Sequence, residues 1–401
     1  MSEHKKEMYL DHAATTYMDS RVLEKMMPYF SDIFANPSSF HTPGMRAKEA
    51  VIEAREAIAK ILNVRVDEII FTSGGTESDN IAVIGVPRGN KEKKHVITSS
   101  IEHHAVLEPL LFLQKRGEIE LTILKVDREG KVSVDDVASA LRPETVLVSI
   151  MYANNEIGTI QPIADIGREI LKYRKNNASI YPYFHTDACQ AAGCLDLDVE
   201  KLHVDLLTLN GSKLYGPKGI AVLYVRRGVK IEPLVRGGGQ EKNIRSGTEN
   251  VSGIIGLSYA LQLAQEEKDI ENTRLIALRD RLVEGLLTIP KSRLNGHPVD
   301  RLPNSVNVSF LDIEGEAAVL YLDAEGIYAS TGSACASLSL DPSHVILATG
   351  LSYEAAHGSM RFTLGKRTTR QDIERVIEVM PGIVEKLRHM SPVNLDMKYF
   401  G

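Results

Sequence analysis

One lysine, Lys213, stands between a glycine-rich turn and an apolar run that is typical of a strand, in the segment LNGSKLYGPKGIAVLYV. A solvated loop lysine is the ordinary interpretation, because lysine side chains are mostly exposed. A phosphate loop is a second interpretation, but Pro217 stands where that motif, counted from Gly211 and Gly216, needs its lysine. The phosphate loop is therefore excluded, and the remaining alternative is an amine that holds a cofactor.

Two further segments carry groups that a phosphate and a pyridine ring need. In SGGTESDN, Gly75 and Thr76 open a predicted helix, where free backbone N–H groups and the helix dipole favour an anion. In HTDACQ, Asp187 ends a predicted strand, and a buried carboxylate there needs a cationic or hydrogen-bonding partner. Taken singly, these are also a tight turn and a helix cap. With Lys213 they match the phosphate, the ring nitrogen and the aldehyde of pyridoxal phosphate, and Lys213 would form the Schiff base.

Three more side chains suit a reaction on an amino acid. His103, in IEHHAVL, could stack on the cofactor ring and relay a proton, although a histidine pair at a helix start is also an ordinary capping feature. Cys335, in STGSACASLSLDPSHV, lies among small residues typical of an exposed and mobile loop, where a thiol reacts as its thiolate. Arg361 has the planar fork that binds a carboxylate with two hydrogen bonds, but a surface ion pair is its commoner role.

The elements that must position these residues form an α/β pattern. From about residue 67 to residue 225, apolar strand-like runs alternate with helix-like stretches, which predicts parallel β-α units. Ligands bind at the carboxyl ends of strands in such sheets, so polar strand-end residues should meet at one edge: Thr76, His103, Asn155, Asp187 and Lys213. Before them, residues 44–62 have the helical period of an amphipathic scaffold helix, with Ala47, Val51, Ala54, Ile58 and Ile61 on its apolar face.

Length and composition limit the organisation of the chain. With 401 residues it exceeds the usual size of one core, and we predict a large domain over residues 16–262 and a small domain made of residues 1–15 and 263–401. The net charge of −6 gives no general attraction to nucleic acid or to an anionic membrane. Three cysteines and no apolar leader or spanning segment predict a cytoplasmic protein without a disulfide framework.

Ten segments together resemble the cysteine desulfurases of the IscS and NifS type, over nearly the whole chain and in the same order. They are YLDHAATT, FTSGGTESDN, EHHAVLE, NNEIGTIQPI, HTDACQAAG, GSKLYGPKG, GGGQE, RSGTEN, TGSACAS and MRFTLGKRTT. The resemblance implies a fold-type I, pyridoxal phosphate-dependent homodimer, with a mainly parallel sheet covered by helices in the large domain and an α+β small domain. It implies an enzyme that converts L-cysteine to L-alanine and leaves a persulfide on a loop cysteine.

The resemblance also implies a role for each candidate residue. Lys213 holds the cofactor aldehyde, Cys335 is the nucleophile, His103 stacks on the ring, and Arg361 with Asn155 binds the substrate. The remaining residues contact the cofactor. Gly75 and Thr76 bind its phosphate, and Thr248 reaches the phosphate from the other subunit of the dimer. Asp187 contacts the ring nitrogen, Gln190 the ring hydroxyl and Asn155 the ring itself. The sequence between Cys335 and Arg361 is long enough to suggest the long-loop subgroup. The implied acceptors are an iron-sulfur scaffold protein and sulfur carriers, for example for tRNA thiolation, with Cys335 a transient cluster ligand and no other metal site.

The chain departs from the family pattern next to Lys213. Many relatives have a serine and a histidine at the positions of Asn210 and Ser212 in this chain. In those relatives the serine and the histidine assist phosphate binding. Asn210 and Ser212 can still donate through an amide and a hydroxyl, so we expect phosphate binding by neutral donors that depends less on pH. Two alternatives to a desulfurase stay open: a selenocysteine lyase or another aminotransferase-like enzyme, and a non-catalytic protein that docks on sulfur-trafficking partners.

Overall fold

The computed structural model describes residues 7–90, 92–332 and 341–400. The strands of these residues are Met8–Tyr9 (β1), Ile69–Thr72 (β2), His95–Ser99 (β3), Glu120–Leu124 (β4), Thr145–Ser149 (β5), Tyr183–Asp187 (β6), Leu206–Asn210 (β7), Ala221–Val225 (β8), Ser292–Leu294 (β9), Ser305–Phe310 (β10), Ile327–Tyr328 (β11) and Ser359–Thr363 (β12). The α-helices are Ser20–Met26 (α1), Pro28–Ser31 (α2), Thr42–Leu62 (α3), Gly75–Gly89 (α4), His104–Lys115 (α5), Val134–Ala140 (α6), Ile163–Asn176 (α7), Val199–Leu202 (α8), Val251–Leu286 (α9), Gly315–Ala324 (α10), His344–Ala348 (α11), Tyr353–His357 (α12) and Arg370–Met390 (α13).

Seven strands form the central sheet, in the order β2, β8, β7, β6, β5, β3, β4. Neighbouring strands from β7 through β4 are parallel, and β8 runs antiparallel to both β2 and β7. The inner strands β3, β5 and β6 are buried along their whole length, as expected for a parallel sheet with both faces covered. The predicted mainly parallel α/β fold is confirmed, and the carboxyl ends of β2, β3, β5, β6 and β7 lie at one edge.

Helices cover both faces of this sheet. One face packs against α3, α7 and the first half of α9, and the other packs against α4 and α5. Helix α3 buries Ala47, Val51, Ala54 and Ile58 as its sequence period predicts. Ile61 is only partly buried, and Leu62 takes the buried position at the end of the helix.

A second, smaller layer contains the sheet β12, β10, β9, which is antiparallel and packs against α10, α13 and the second half of α9. The N-terminal strand β1 pairs in parallel with β11, so the first described residues join elements from the C-terminal third. Helix α9 is one continuous helix of 36 residues, and position 262 lies inside it. The division of the chain at residue 262 into two domains stays a prediction.

Candidate active site

A pocket with a volume of about 240 Å³ opens at the carboxyl edge of the central sheet. The predicted site residues that line it are Gly75, Thr76, His103, Asn155, Asp187, Gln190, Asn210, Lys213 and Arg361. Most of them end a strand of the central sheet or follow one within a few residues. Gly75 begins α4 after β2, Asp187 is the last residue of β6, and Lys213 lies in the 3-10 turn after β7. The parallel strands therefore bring together side chains that are far apart in the sequence.

The start of α4 forms one wall of the pocket. Gly75 lies so close to its neighbours that an added Cβ would be 3.0 Å from Sγ of Cys189 and 3.4 Å from Nδ2 of Asn210. Oδ1 of Asn210 accepts hydrogen bonds from the backbone N–H of Ser212 at 3.2 Å and from its hydroxyl at 3.1 Å. These bonds orient the Asn210 amide with its donor nitrogen beside the helix N-terminus, where backbone N–H groups favour an anion.

Lys213 contacts the N-terminal segment of the chain. Its Nζ donates a hydrogen bond to the carbonyl of Ala13 at 2.8 Å and a second, shorter one to the carbonyl of Ala14. The Ala13 carbonyl also accepts from Nε2 of Gln190 at 3.1 Å. Two backbone carbonyls thus hold the amine at the pocket, although they lie in a segment about 200 residues away.

Asp187 is buried and lines the pocket, and its Oδ1 accepts the backbone N–H of Cys189 at 2.9 Å. A second buried carboxylate, Asp79, also lines the pocket, and burial together with the charge of Asp187 raises the pKa of Asp79 well above its usual value. Nε2 of His185 lies 3.6 Å from Oδ1 of Asp79, and burial lowers the pKa of His185 to about 4. Burial thus favours the neutral forms of both Asp79 and His185, beside Asp187.

Glu102 is a third carboxyl group at the pocket, and it is fully buried. Its Oε1 accepts hydrogen bonds from the hydroxyl of Ser99 at 2.5 Å and from the backbone N–H of Met151 at 2.9 Å. Burial raises the pKa of Glu102 to about 8 in spite of these bonds. Glu102 is thus mainly protonated at neutral pH, which limits the negative charge around Asp187.

His103 caps helix α5. Its Nδ1 accepts the backbone N–H of Ala105 at 3.1 Å, so the proton of the neutral ring lies on Nε2. Burial lowers the pKa of His103, the charge of Asp187 opposes that shift, and the Lys213 ammonium adds to it. The ring is therefore mainly neutral at neutral pH, with an N–H donor on Nε2.

Arg361 lies on β12 and is almost completely buried. Its Nη2 donates to Oδ1 of Asp11 at 2.8 Å, and its Nη1 donates to the carbonyl of Asn155 at 3.1 Å. Its Nε–H has no hydrogen-bond acceptor among the described residues. Arg361 thus carries one buried donor whose partner is not among the described residues.

Three predicted site residues do not line the pocket in the described part of this single chain. Cys335 lies outside the described residues. Ser212 donates its hydroxyl hydrogen to Asn210, and Thr248 is exposed. The residues on either side of the 333–340 segment contact Glu156 at the pocket. The Ser343 hydroxyl donates to its carboxylate, and a Cβ added to Gly332 would lie 2.8 Å from Oε2.

The thiols of the other two cysteines form little thiolate at neutral pH. Cys189 lines the pocket, but burial and the charge of Asp187 raise the pKa of its thiol well above the usual value. Burial raises the pKa of Cys194 to about 12. A thiol with a raised pKa is a weak nucleophile at neutral pH, because the thiolate is the reactive form.

Sequence reasoning missed several residues of the pocket that local patterns could have indicated. Asp79 follows Thr76 by one helical turn, and Glu102 directly precedes His103. His185 precedes Asp187 by two residues and therefore shares its face of the strand. Asp11, Ala13 and Ala14 lie in the YLDHAATT segment of the family resemblance, but no local pattern indicates their contacts, which are long-range.

The residues present fit pyridoxal phosphate. A helix N-terminus and the Asn210 amide provide donors for a phosphate, Asp187 provides a buried carboxylate for a ring nitrogen, and the Lys213 amine lines the same pocket. The cradle is tight at Gly75, where a side chain would meet Cys189 and Asn210. Fold and site together define a fold-type I, pyridoxal phosphate-dependent enzyme.

Comparison with known proteins gives the family. Residues 8–376 match the aminotransferase class-V family. The cysteine desulfurase IscS of Methanosarcina thermophila is 53% identical over 394 residues, which cover 98% of this chain and 96% of that protein. A solved NifS-like protein is 36% identical, with a TM-score of 0.86 over 96% of this chain and 99% of that chain. A solved structure of SspA in complex with cysteine is 37% identical, with a TM-score of 0.77 over 90% of this chain and 99% of that chain. The chain belongs to the class-V aminotransferase family and, within it, to the cysteine desulfurases.

Proposed function

We propose that this enzyme converts L-cysteine to L-alanine and leaves the sulfur as a persulfide on Cys335. The observation that carries the proposal is one pocket that is lined by Lys213, the buried Asp187 and Arg361. This set suits a cofactor aldehyde, a ring nitrogen and a substrate carboxylate. The similar SspA structure is a complex with cysteine, which supports cysteine as the substrate of this chain.

The reaction balances with one enzyme thiol. The Cβ–S bond of L-cysteine breaks and the sulfur bonds to Sγ of Cys335. The electron pair of the broken bond stays on Cβ, which takes up a proton to give L-alanine, so no external oxidant or reductant is needed. Elimination supports Cys335 as the acceptor, since burial raises the pKa of both other cysteines, Cys189 and Cys194. The contacts of Gly332 and Ser343 with Glu156 bring both ends of the Cys335 segment to the pocket.

Each pocket residue has a part in that reaction. Bound pyridoxal phosphate supplies an aldehyde for the substrate amine and a ring that withdraws electrons. Asp187 stabilises a protonated ring nitrogen, and Asn210 with the start of α4 binds the phosphate. Lys213 would hold the aldehyde, and its free amine would move a proton. Neutral His103, with its Nε2–H, would stack on the cofactor and serve as a proton donor.

A homodimer completes the site in this proposal. Thr248 is exposed in the single chain, and we place it at the phosphate of the partner's pocket. Exposed apolar side chains support the dimer, because Met27, Phe30, Phe34 and Phe40 are all exposed near the N-terminus, with 97% of Phe40 accessible. Exposed apolar residues that collect in one region of a soluble protein often belong to an association surface.

The persulfide serves sulfur delivery in the cytoplasm. We assign an iron-sulfur scaffold protein and sulfur carriers as acceptors, on the strength of the IscS name of the relatives. The acidic chain and its three cysteines support a reducing compartment and acceptors that are proteins. In the described part of the chain, no helix is both long and apolar enough to cross a membrane.

The test is an assay that measures sulfide and alanine from L-cysteine, with an absorption spectrum of the purified enzyme. We expect equal amounts of sulfide and alanine in the presence of a reductant. Lys213→Ala should remove the bound-cofactor absorbance, and Cys335→Ser should keep it but stop sulfide release. Cys194→Ser is the matched control and should keep full activity. Full activity in Cys335→Ser would contradict the proposal, as would a colourless parent enzyme.

A further inference from the structure

The side chain of Arg361 is fixed by two contacts from different parts of the chain. Asp11 accepts from Nη2 at 2.8 Å, and the Asn155 carbonyl accepts from Nη1 at 3.1 Å. A guanidinium is planar, so two fixed corners determine the direction of all its N–H groups. The direction of the unpaired Nε–H therefore depends on the position of Asp11.

The backbones of both residues are held as well. Arg361 pairs with Asn307 on β10 and exchanges two backbone hydrogen bonds with Ser330, at 2.6 and 3.1 Å. Asp11 bridges to Thr363 on the same strand, and Thr363 accepts the N–H of Ala13 through its hydroxyl at 2.8 Å. The ion pair thus joins two rigid segments, which fixes the guanidinium more closely than two mobile side chains would.

Burial makes the orientation important. The Arg361 side chain is 2% exposed and that of Asp11 is 19% exposed, so water contributes little to the hydrogen bonds of the guanidinium. The Nε–H is buried without an acceptor among the described residues, and a buried donor of this kind calls for a partner that those residues do not supply. Arg361 lines the pocket, whereas Asp11 is not among the described residues that line it.

We propose that Asp11 is a positioning residue that directs the Nε–H of Arg361 at the substrate carboxylate, and that it thereby sets the preference for amino acids over simple amines. The inference rests on the proposed function, in which Arg361 binds that carboxylate. Asp11 does not touch the substrate and acts through Arg361. A carboxylate bound at Nε leaves the Nη2 bond to Asp11 in place, so the substrate does not have to displace Asp11.

Two ligands that differ in the carboxylate test the proposal on the holoenzyme. L-alanine carries the carboxylate and cysteamine lacks it, and both have an amine whose binding changes the cofactor absorbance. In Asp11→Ala we expect the Kd of L-alanine to rise about ten-fold or more, because the guanidinium loses one of its two fixed corners. The Kd of cysteamine should stay within about two-fold, since it makes no bond to Arg361.

Two further variants separate positioning from folding. Asp11→Asn retains an oxygen acceptor for Nη2 and should bind L-alanine within about three-fold of the parent. Asp11→Glu keeps the charge but moves the oxygen, so it should lose L-alanine binding selectively even if Asp11→Ala does not fold. Equal weakening of both ligands, or no weakening of L-alanine, would overturn the proposal. These titrations measure binding without sulfur transfer, so they stand apart from a failure of the desulfurase assay.

Discussion

The Nζ of Lys213 donates a hydrogen bond to the backbone carbonyl of Ala13 at 2.8 Å, across 200 positions of the sequence. A second hydrogen bond goes to the carbonyl of Ala14, the next residue. Two carbonyl acceptors stabilise the charged amine while it is not bonded to a cofactor. They also hold it beside Asp187 and His103, which line the same pocket.

The first prediction concerns the amine itself. Lys213→Ala should lower desulfurase activity by about a thousand-fold or more, because no other amine replaces the covalent handle. The absorbance of the bound cofactor should disappear after dialysis. Lys218→Ala is the matched control, since Lys218 is a second lysine of the same turn and donates to the carbonyl of Thr16. Cofactor that stays bound and coloured in Lys213→Ala would contradict the assignment.

The second prediction tests the tight contact at Gly75. Gly75→Ala places a Cβ at 3.0 Å from Sγ of Cys189, so the wall of the phosphate cradle has to move. We expect the Kd of pyridoxal phosphate to rise about ten-fold, although alanine favours a helix more than glycine does. Adding Cys189→Ala removes the Sγ and should restore much of the affinity. Unchanged cofactor affinity in Gly75→Ala would show that the residues around Gly75 can move aside without any loss of binding free energy.

The third prediction follows from the buried carboxyl of Glu102. The pKa of Glu102 is raised from 4.5 to about 8 in the folded protein, so the fold keeps a proton that the unfolded chain releases. The stability that this group contributes is complete below about pH 4.5 and is lost as the pH rises toward 8. Glu102→Gln keeps an acceptor for Ser99 and Met151 without titrating.

Thermal unfolding of parent and Glu102→Gln should therefore differ with pH. We expect the variant to gain about 2–4 kcal/mol relative to the parent between pH 5 and pH 8, because its side chain stays neutral throughout. Other titrating groups are common to both proteins and cancel in the comparison. A difference in Tm that does not change over this range would show that Glu102 is ionised in the folded enzyme.

The fourth prediction concerns the departure from the family pattern. In the parent, Oδ1 of Asn210 accepts hydrogen bonds from the backbone N–H and from the hydroxyl of Ser212. Both residues are neutral, so we expect them to add no charge at the phosphate. The double variant Asn210→Ser, Ser212→His adds an imidazole that becomes charged below about pH 6.5. Its Kd for pyridoxal phosphate should fall by several-fold at low pH, while that of the parent changes little.

The single variant Asn210→Ser is the control for this comparison, because it removes the amide without adding a titrating group. Cofactor affinity is measured by equilibrium titration of the apoenzyme at pH 6 and pH 8. If the parent and the double variant have the same Kd at pH 6 and at pH 8, the expectation that neutral groups bind the phosphate in the parent is wrong.

Local sequence patterns were sufficient to predict much of the site. Asp187 and Lys213 end or follow predicted strands of one parallel sheet, and parallel strands present their carboxyl ends at one edge, so their meeting was predictable. The contacts that fix Arg361 were not predictable, since Asp11 lies 350 positions away and is brought to Arg361 by its bridge to Thr363 on β12. The sequence pattern also did not predict α9 as one continuous helix, because its two halves pack against different cores and have no common apolar face.

The central claim is that Cys335 takes the sulfur, and peptide mass spectrometry after one turnover tests it most directly. The enzyme is mixed with one equivalent of L-cysteine without reductant, and its three cysteine-containing regions are analysed for an added sulfur atom. We predict one added sulfur on Cys335, an equal amount of L-alanine, and none on Cys189 or Cys194. Sulfur on Cys189, which lines the pocket, or L-alanine without any added sulfur on Cys335, would contradict the claim.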